Sequence, residues 1–477
     1  MKSKYKKVAF LLVLGHCMLS CKKIEIPPPV GTITTTQVFS TDAQAISATS
    51  GMYSGMTGGY PTLASGGMTV LAGVSADELI FFNQTFADYA NFQQNALLPT
   101  NTYVNLSFWT STYTTIYSAN AIIEGLENYK GVNDSLKNEL TGEAEFTRAF
   151  CNFYLTNLFG DIPLVTTINW HKTNLLVRTP QSQVYQAIIA DLKDAQNRLS
   201  GDYSAGKGQR IIPNKWAATA LLARVYLYLG EWQNARDQSN AVISSSNLYS
   251  LTADLNNVFL INSTEAIWQL QQSNSQGPFY NATPEGQFIV PETLNTDTQP
   301  TVYLTNQLLN AFEPHDQRRT AWIDSTLYTP NGLTYYFPYK YKMGSGQATP
   351  DGQYSEYYMV LRLAEQYLIR AEAQANGAGN GVAGAISDLN IIRHRAGLPD
   401  YAGTMGTAAV LSAIAHERQV ELFAEWGHRW LDLKRTKTAT TVLSANKGFV
   451  VTSDALLFPI PQGELTTDPN LTQNPGY

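Results

Sequence analysis

The sequence predicts a mainly α-helical chain in which tetratricopeptide-like helix pairs form a scaffold and a loop-rich region carries a few short strands. Three observations predict it. The stretch Pro213 to Ser246 reads as two helices folded back across Leu229-Gly230-Glu231, with Trp216, Ala220, Ala223 and Leu227 at helical spacing in the first and Trp232, Ala235, Ser239 and Val242 in the second. A longer run, from about Asp134 to Phe159, keeps Leu136, Leu140, Ala144, Thr147, Cys151 and Leu155 along one side. Between about Ser250 and Gly352 the helical period lapses and Pro, Gly, Asn and aromatic residues crowd in. Gly230 makes the turn of the pair, because glycine takes the left-handed conformation of a helix C-cap without a Cβ penalty. The run Ala223-x2-Tyr226-x3-Gly230-x4-Ala235 looks like a tetratricopeptide unit, whose apolar face is buried only by stacking on similar units.

In chain order, the basic MKSKYKK is followed by the apolar VAFLLVLG, the layout of a secretory signal peptide and too short for a stable transmembrane helix. Leu19-Ser20-Cys21 then resembles a bacterial lipoprotein cleavage box, which implies a signal peptide over 1–20 and lipidation of Cys21. Residues 21–33 include Pro27, Pro28 and Pro29 and suit an extended tether. No other stretch is long and apolar enough to cross a bilayer as a helix. Removing residues 1–20 takes four lysines and no acid from a formal net charge of −6, leaving −10. A mildly acidic mature chain is poorly suited to nucleic acid, whose binding depends on Lys and Arg contacts to phosphate. With Cys17 in the signal and Cys21 lipidated, Cys151 is left unpaired, so stability rests on core burial and not on disulfides.

Further along, Ser40 or Thr41 caps a helix carrying Ala45, Ile46, Thr49 and Tyr53. Residues 61–102 show no sustained period and read as mostly loop. A long helix passes through Trp109, Tyr113, Ile116, Tyr117, Asn120, Ile123 and Leu126, the run to Phe159 stops at Gly160-Asp161-Ile162-Pro163, and another helix spans roughly Gln181 to Leu199. Glu265 to Gln271 alternates like a strand, and residues 328–342 read as two aromatic strands around Asn331-Gly332. Helix returns over Leu361 to Ala375, Val382 to Ala396 and Ala408 to Trp426, before a terminal coil.

Seven phrases together carry a family resemblance: Glu143-Ala-Glu-Phe-Thr-Arg-Ala-Phe150, Phe159-Gly-Asp-Ile-Pro-Leu164, Arg362-Leu-Ala-Glu-Gln-Tyr-Leu-Ile-Arg-Ala-Glu372, His416-Glu-Arg-Gln-Val-Glu-Leu422, Gly427-His-Arg-Trp-Leu-Asp-Leu-Lys-Arg435, Phe458-Pro-Ile-Pro461 and Gln473-Asn-Pro-Gly-Tyr477. In this order they resemble the SusD/RagB family of Bacteroidetes outer-membrane lipoproteins. The resemblance implies four tetratricopeptide-like pairs, with an N-terminal helical region over 34–250 and a C-terminal region over 251–477 packed as one globular unit. It also implies a lipid-anchored protein at the outer membrane, facing outward, that captures oligosaccharide and passes it to a SusC-like TonB-dependent barrel. Peptide is an alternative cargo, and a surface glycoside hydrolase or a tetratricopeptide adaptor are further alternatives.

The residues themselves point to binding and not to catalysis. His416-Glu417 opens like a zinc-protease helix, but Val420 stands where the second histidine is needed, and no nucleophile elbow or phosphate loop is present. Glu417 and Glu421 are one turn apart, as on any charged helix, and the many charges of the seven phrases read as ion pairs between helices. No cofactor or metal is called for. Sugars offer apolar faces to aromatic rings and hydroxyls to Asn, Asp and Gln, so aromatic-polar loops on a helical frame are candidate ligand sites. The candidate residues are Asp77, Phe82, Phe86, Tyr89, Phe279, Tyr280, Asn295 and Asp297; Tyr335, Tyr336, Tyr339 and Tyr341 read instead as strand core.

Overall fold

The computed structural model describes residues 38–59, 61–272, 282–291, 299–345, 347 and 353–477. Residues 1–33, which the sequence reading assigns to a signal peptide, a lipidated Cys21 and a tether, lie outside the described residues. Helix α1 (Asp42–Thr57) starts at Thr41, whose hydroxyl accepts the Gln44 N–H, and buries Ala45, Thr49 and Tyr53. Residues 61–102 hold more structure than their sequence announces: α2 (Met68–Ser75), strand β1 (Leu79–Phe81) and α3 (Ala87–Gln93). Every residue of α2 is buried, so its MTVLAGVS sequence has no polar face and therefore no helical period.

Helices α4 (Ser111–Asn128) and α5 (Asp134–Phe159) follow, and α5 begins at Asn133, whose side chain accepts the Leu136 N–H, and ends at Gly160 with φ 76°. Then come α6 (Gln181–Arg198), α7 (Lys215–Leu229) and α8 (Trp232–Ile243), with Gly230 in the left-handed region between the last two. Strands β2 (Ala266–Leu270), β3 (Val302–Leu304), β4 (Ile323–Tyr328), β5 (Leu333–Pro338) and β6 (Tyr358–Arg362) occupy the loop-rich region. They pair antiparallel as β1 with β3, β2 with β6 and β4 with β5. The hairpin turn falls at Asn331-Gly332 as the sequence suggests, but its first strand is Ile323–Tyr328. Strand β2 is buried along its whole length instead of on alternate residues, because Trp268 inserts edge-on against Phe146 (4.9 Å) and Phe150 (5.4 Å) of α5.

Helices α9 (Leu363–Ala375), α10 (Gly381–Arg395) and α11 (Thr407–Glu421) resume the scaffold. The stack runs α4, α5, α6, α7, α8, α9, α10, with α8 lying directly on α9 although the strand region separates them in sequence. This is the tetratricopeptide-like arrangement, and the repeats close over the insertion. Beyond α11 the chain is not coil. Ala424, Trp426 and Gly427 have positive φ, break the helix after Glu421, and lead to α12 (His428–Arg435) and α13 (Ala439–Lys447).

Charged side chains hold the strand region to the helices. Arg318 bonds Asp316 (2.8 Å), Glu417 (2.6 Å) and Glu421 (2.9 Å), and Arg362 bonds Glu421 (2.5 Å) and Glu425 (2.8 Å), all of them buried. Arg395 joins Glu265 to Glu421, and Lys340 reaches Glu425. Buried charges survive because each meets an opposite one. Burial pushes the Glu421 carboxyl up, and the Arg395, Arg362 and Arg318 guanidinium groups outweigh it, holding it well below the usual range. Glu417 and Glu421 are thus network members. Among the described residues no helix is long and apolar enough to cross a membrane.

Candidate functional site

Residues 76–95 leave the core between α2 and the start of α4, and one cation pins both ends of the excursion. Lys447 Nζ donates to the carbonyls of Val74 (3.0 Å), Ser75 (2.9 Å) and Gln93 (2.9 Å) and to Asn95 Oδ1 (2.7 Å). Burial lowers this ammonium to about 7, against the pull of the Asp77 charge. Asp77 itself is buried, with Arg429 at 2.7 and 2.8 Å on its two carboxylate oxygens and Asn446 Nδ2 at 2.6 Å. Burial pushes its carboxyl up, and the Arg429 hydrogen bonds and charge overcome that and leave it below the ordinary value. Next to it, burial raises the Glu78 carboxyl to about 8.

From this fixed base β1 runs outward against β3, with Leu79 opposite Leu304, Ile80 opposite Tyr303 and Phe81 opposite Val302. Phe82 N–H to the Thr301 carbonyl (3.0 Å) and Thr305 N–H to the Glu78 carbonyl (3.0 Å) extend the ladder at both ends. The alternation puts Leu79, Phe81, Val302 and Leu304 in the core and turns Ile80 and Tyr303 to the other face. There Tyr303 meets Tyr335 of β5 at 4.9 Å, and Phe82 meets Tyr335 at 5.1 Å and Tyr328 of β4 at 5.4 Å, all edge to face. Four half-buried rings from three separate segments therefore share one surface. Amide side chains border it: Gln299 Nε2 donates to the Tyr328 hydroxyl (2.6 Å) and Asn331 Nδ2 to the Tyr335 hydroxyl (2.8 Å).

Phe86, four positions after Phe82, is 59 % exposed and meets Tyr89 edge to face on the Phe81 side of β1. Tyr89 has both faces covered, by Phe81 at 4.3 Å and Tyr103 at 4.6 Å, and burial raises its phenol above the usual range. The arrangement offers apolar ring surface beside hydrogen-bonding amides and phenols on a braced frame, which is the chemistry of a ligand with an apolar face and hydroxyl edges.

The family model described as "SusD family" matches residues 310–477, and the model described as "Starch-binding associating with outer membrane" matches residues 68–227. The chain belongs to the SusD/RagB family. SusD-like protein P2 of Formosa agariphila is 28% identical to this SusD/RagB protein over 99% of this chain and 100% of its own. The fold matches that of a SusD superfamily protein from Parabacteroides distasonis with a TM-score of 0.76 at 25% identity, covering 94% of this chain and 100% of the other. It matches a laminarin binding SusD-like protein with a TM-score of 0.75 at 26% identity, covering 92% and 100%.

Of the candidate residues read from the sequence, the structure brings Phe82 to this surface and leaves Phe86 exposed beside Tyr89. It gives Asp77 a different place: both oxygens are taken by Arg429 and Asn446, so Asp77 fixes the loop base and is not offered to a ligand. Tyr89 is a support under the surface, clamped between two rings. Phe279, Tyr280, Asn295 and Asp297 lie outside the described residues. Tyr341 is buried as read but lies past the end of β5, whereas Tyr335 is half-buried and part of the platform. Tyr303, Tyr328 and Gln299 were not legible as site residues, although Val302-Tyr303-Leu304 does carry the in-out-in alternation of a strand.

Proposed function

We propose that this SusD/RagB protein is a glycan-binding lipoprotein of the outer-membrane surface that captures oligosaccharide and delivers it to a SusC-like TonB-dependent transporter. The observation that carries the reading is the platform of Phe82, Tyr303, Tyr328 and Tyr335, with amides along its border. The laminarin binding of a relative with the same fold supports glycan as the ligand class, and the family description that includes association with the outer membrane supports the location. The lipoprotein-like Leu19-Ser20-Cys21 supports a lipid anchor.

The mechanism is capture without covalent chemistry. Sugar rings stack on the exposed aromatic surface, hydroxyls exchange water for the Gln299 and Asn331 amides and the phenols, and the tetratricopeptide scaffold faces the barrel. The carboxylates that a hydrolase reading would use, Glu417 and Glu421, are neutralised by buried arginines.

Two experiments test the two halves. The mature protein is titrated with a panel of glycans that includes laminarin, and the native lipoprotein is pulled from mildly solubilised outer membranes and its companions identified by mass spectrometry. Binding of a glycan and a stoichiometric barrel partner are expected. A barrel partner with peptide binding and a silent glycan panel would favour peptide cargo; turnover of a glycan would make the protein a hydrolase; absence of any barrel would end the delivery model.

A further inference from the structure

A second groove, of about 440 Å³, lies where three parts of the chain meet: the start of α4, the segment 163–176 and the C-terminal segment 464–471. Its lining includes three aromatic residues spaced four positions apart, Trp109, Tyr113 and Tyr117, which fall on one face because four residues bring a helix round by about one turn. Trp109 and Tyr113 pack at 5.0 Å, and Tyr117 stands out of the surface, 54 % exposed. The lining also includes Glu464, Thr467 and Asp468 of the C-terminal segment and Asn174.

The groove is built and held. The Tyr113 hydroxyl donates to the Pro163 carbonyl (2.9 Å), Asn470 Nδ2 to the Leu175 carbonyl (2.9 Å), and Arg178 Nη1 to the Thr472 carbonyl (2.9 Å). These three bonds tie the lining segments to one another, the last two across 295 and 294 positions of sequence. Burial raises the Glu464 carboxyl from its usual value, partly offset by a hydrogen bond with the Trp109 side chain. Asp468 spends one carboxylate oxygen on the Asn470 N–H (2.9 Å). None of the described residues lining the groove is basic.

Rings beside carboxyl, hydroxyl and amide groups suit a ligand with an apolar face and several hydroxyl donors. Two acids and no lysine or arginine repel a carboxylate or sulfate group. We propose that this groove is a second saccharide subsite, selective for neutral glycan, that takes a short stretch of chain against Tyr113 and Tyr117 while Glu464 and Asp468 accept its hydroxyl protons in hydrogen bonds. It extends the glycan-binding reading to a separate place on the molecule, and it does not depend on the platform of Phe82, Tyr303, Tyr328 and Tyr335.

Hydrogen exchange of the mature protein reads both places at once. The protein is incubated with neutral glycans including laminarin and, separately, with the uronic acid polymer alginate. A neutral glycan is expected to protect residues 104–128 and 462–471, to do so still in the Phe82→Ala/Phe86→Ala variant, and to lose about tenfold in affinity for that groove in Tyr117→Ala. Tyr117→Ala changes an exposed side chain and is expected to melt with the wild type; Glu464→Gln, which keeps the shape, provides a second reading through weaker hydroxyl acceptance. Protection confined to residues 79–93 and 323–338 would overturn the groove and leave the platform standing. Protection confined to the groove would do the reverse. Protection of neither place by any neutral glycan, or groove protection by alginate equal to that by laminarin, would overturn the proposal.

Discussion

Arg429 grips Asp77 through two parallel hydrogen bonds of 2.7 and 2.8 Å, joining α12 to the base of the aromatic loop across 352 positions of sequence. A planar guanidinium on a carboxylate fixes direction as well as distance, so the loop leaves the core at a set angle. Replacing Arg429 with Met strands the Asp77 carboxylate among buried groups. The expected loss is about 3–5 kcal/mol of unfolding free energy, read by urea denaturation. A loss under about 1 kcal/mol, the value of an ordinary surface pair, would show that the pair is not structural.

Lys447 acts on the same loop from its two ends. Lys447→Met removes the donor that four oxygens share while keeping the apolar stem. Amide exchange in residues 76–95 is expected to rise well above that of α5, whose core position is untouched. Equal exchange in wild type and variant would mean that the loop is held by its strand pairing alone.

Phe86 and Tyr89 are three positions apart and are expected to behave in opposite ways. Phe86→Ala removes an exposed ring and leaves the melting temperature near that of the wild type, while weakening glycan binding about tenfold. Tyr89→Ala empties the space between Phe81 and Tyr103 and costs on the order of 3 kcal/mol of stability. Calorimetric melting and a glycan titration on both variants separate surface from support.

Glu143 supplies a pH dependence. Its carboxyl accepts the Tyr53 hydroxyl at 2.9 Å, and burial raises it from 4.5 to about 8. A folded-state value above the unfolded one means that the unfolded chain gives up this proton first. The resulting penalty on folding is absent below 4.5, grows as pH rises, and is complete above 8. Glu143→Gln cannot ionise, so its stability relative to wild type is expected to improve steadily from pH 5 to pH 8 and then level off. A difference that stays flat over that range would contradict the assignment.

Much of the scaffold was legible because its helices are amphipathic and capped by recognisable residues. Helix α5 runs from Asp134 to Phe159 as its period indicates, and Gly230 turns α7 into α8. The parts that escaped lack a polar face or are short. Helix α2 is buried on all sides, β6 is buried along its length, and α12 spans eight residues after a backbone break at positive φ. The same physics divides the candidate site. Phe82 and Phe86 stood out in the sequence as aromatic residues in a polar loop. Tyr303 and Tyr335 join Phe82 only through the pairing of β1 with β3 and of β4 with β5, which no local pattern near residue 82 could foretell. Asp77 looked like a ligand-binding acid because its partner, Arg429, lies at the other end of the chain.

The most direct test of the central claim is an isothermal titration of the mature protein and its Phe82→Ala/Phe86→Ala variant with the best binder of a glycan panel that includes laminarin. The account predicts saturable binding by the wild type and a loss of at least about tenfold in the variant, with both proteins melting together. Equal affinity in the two proteins would contradict the claim that this aromatic surface captures the glycan.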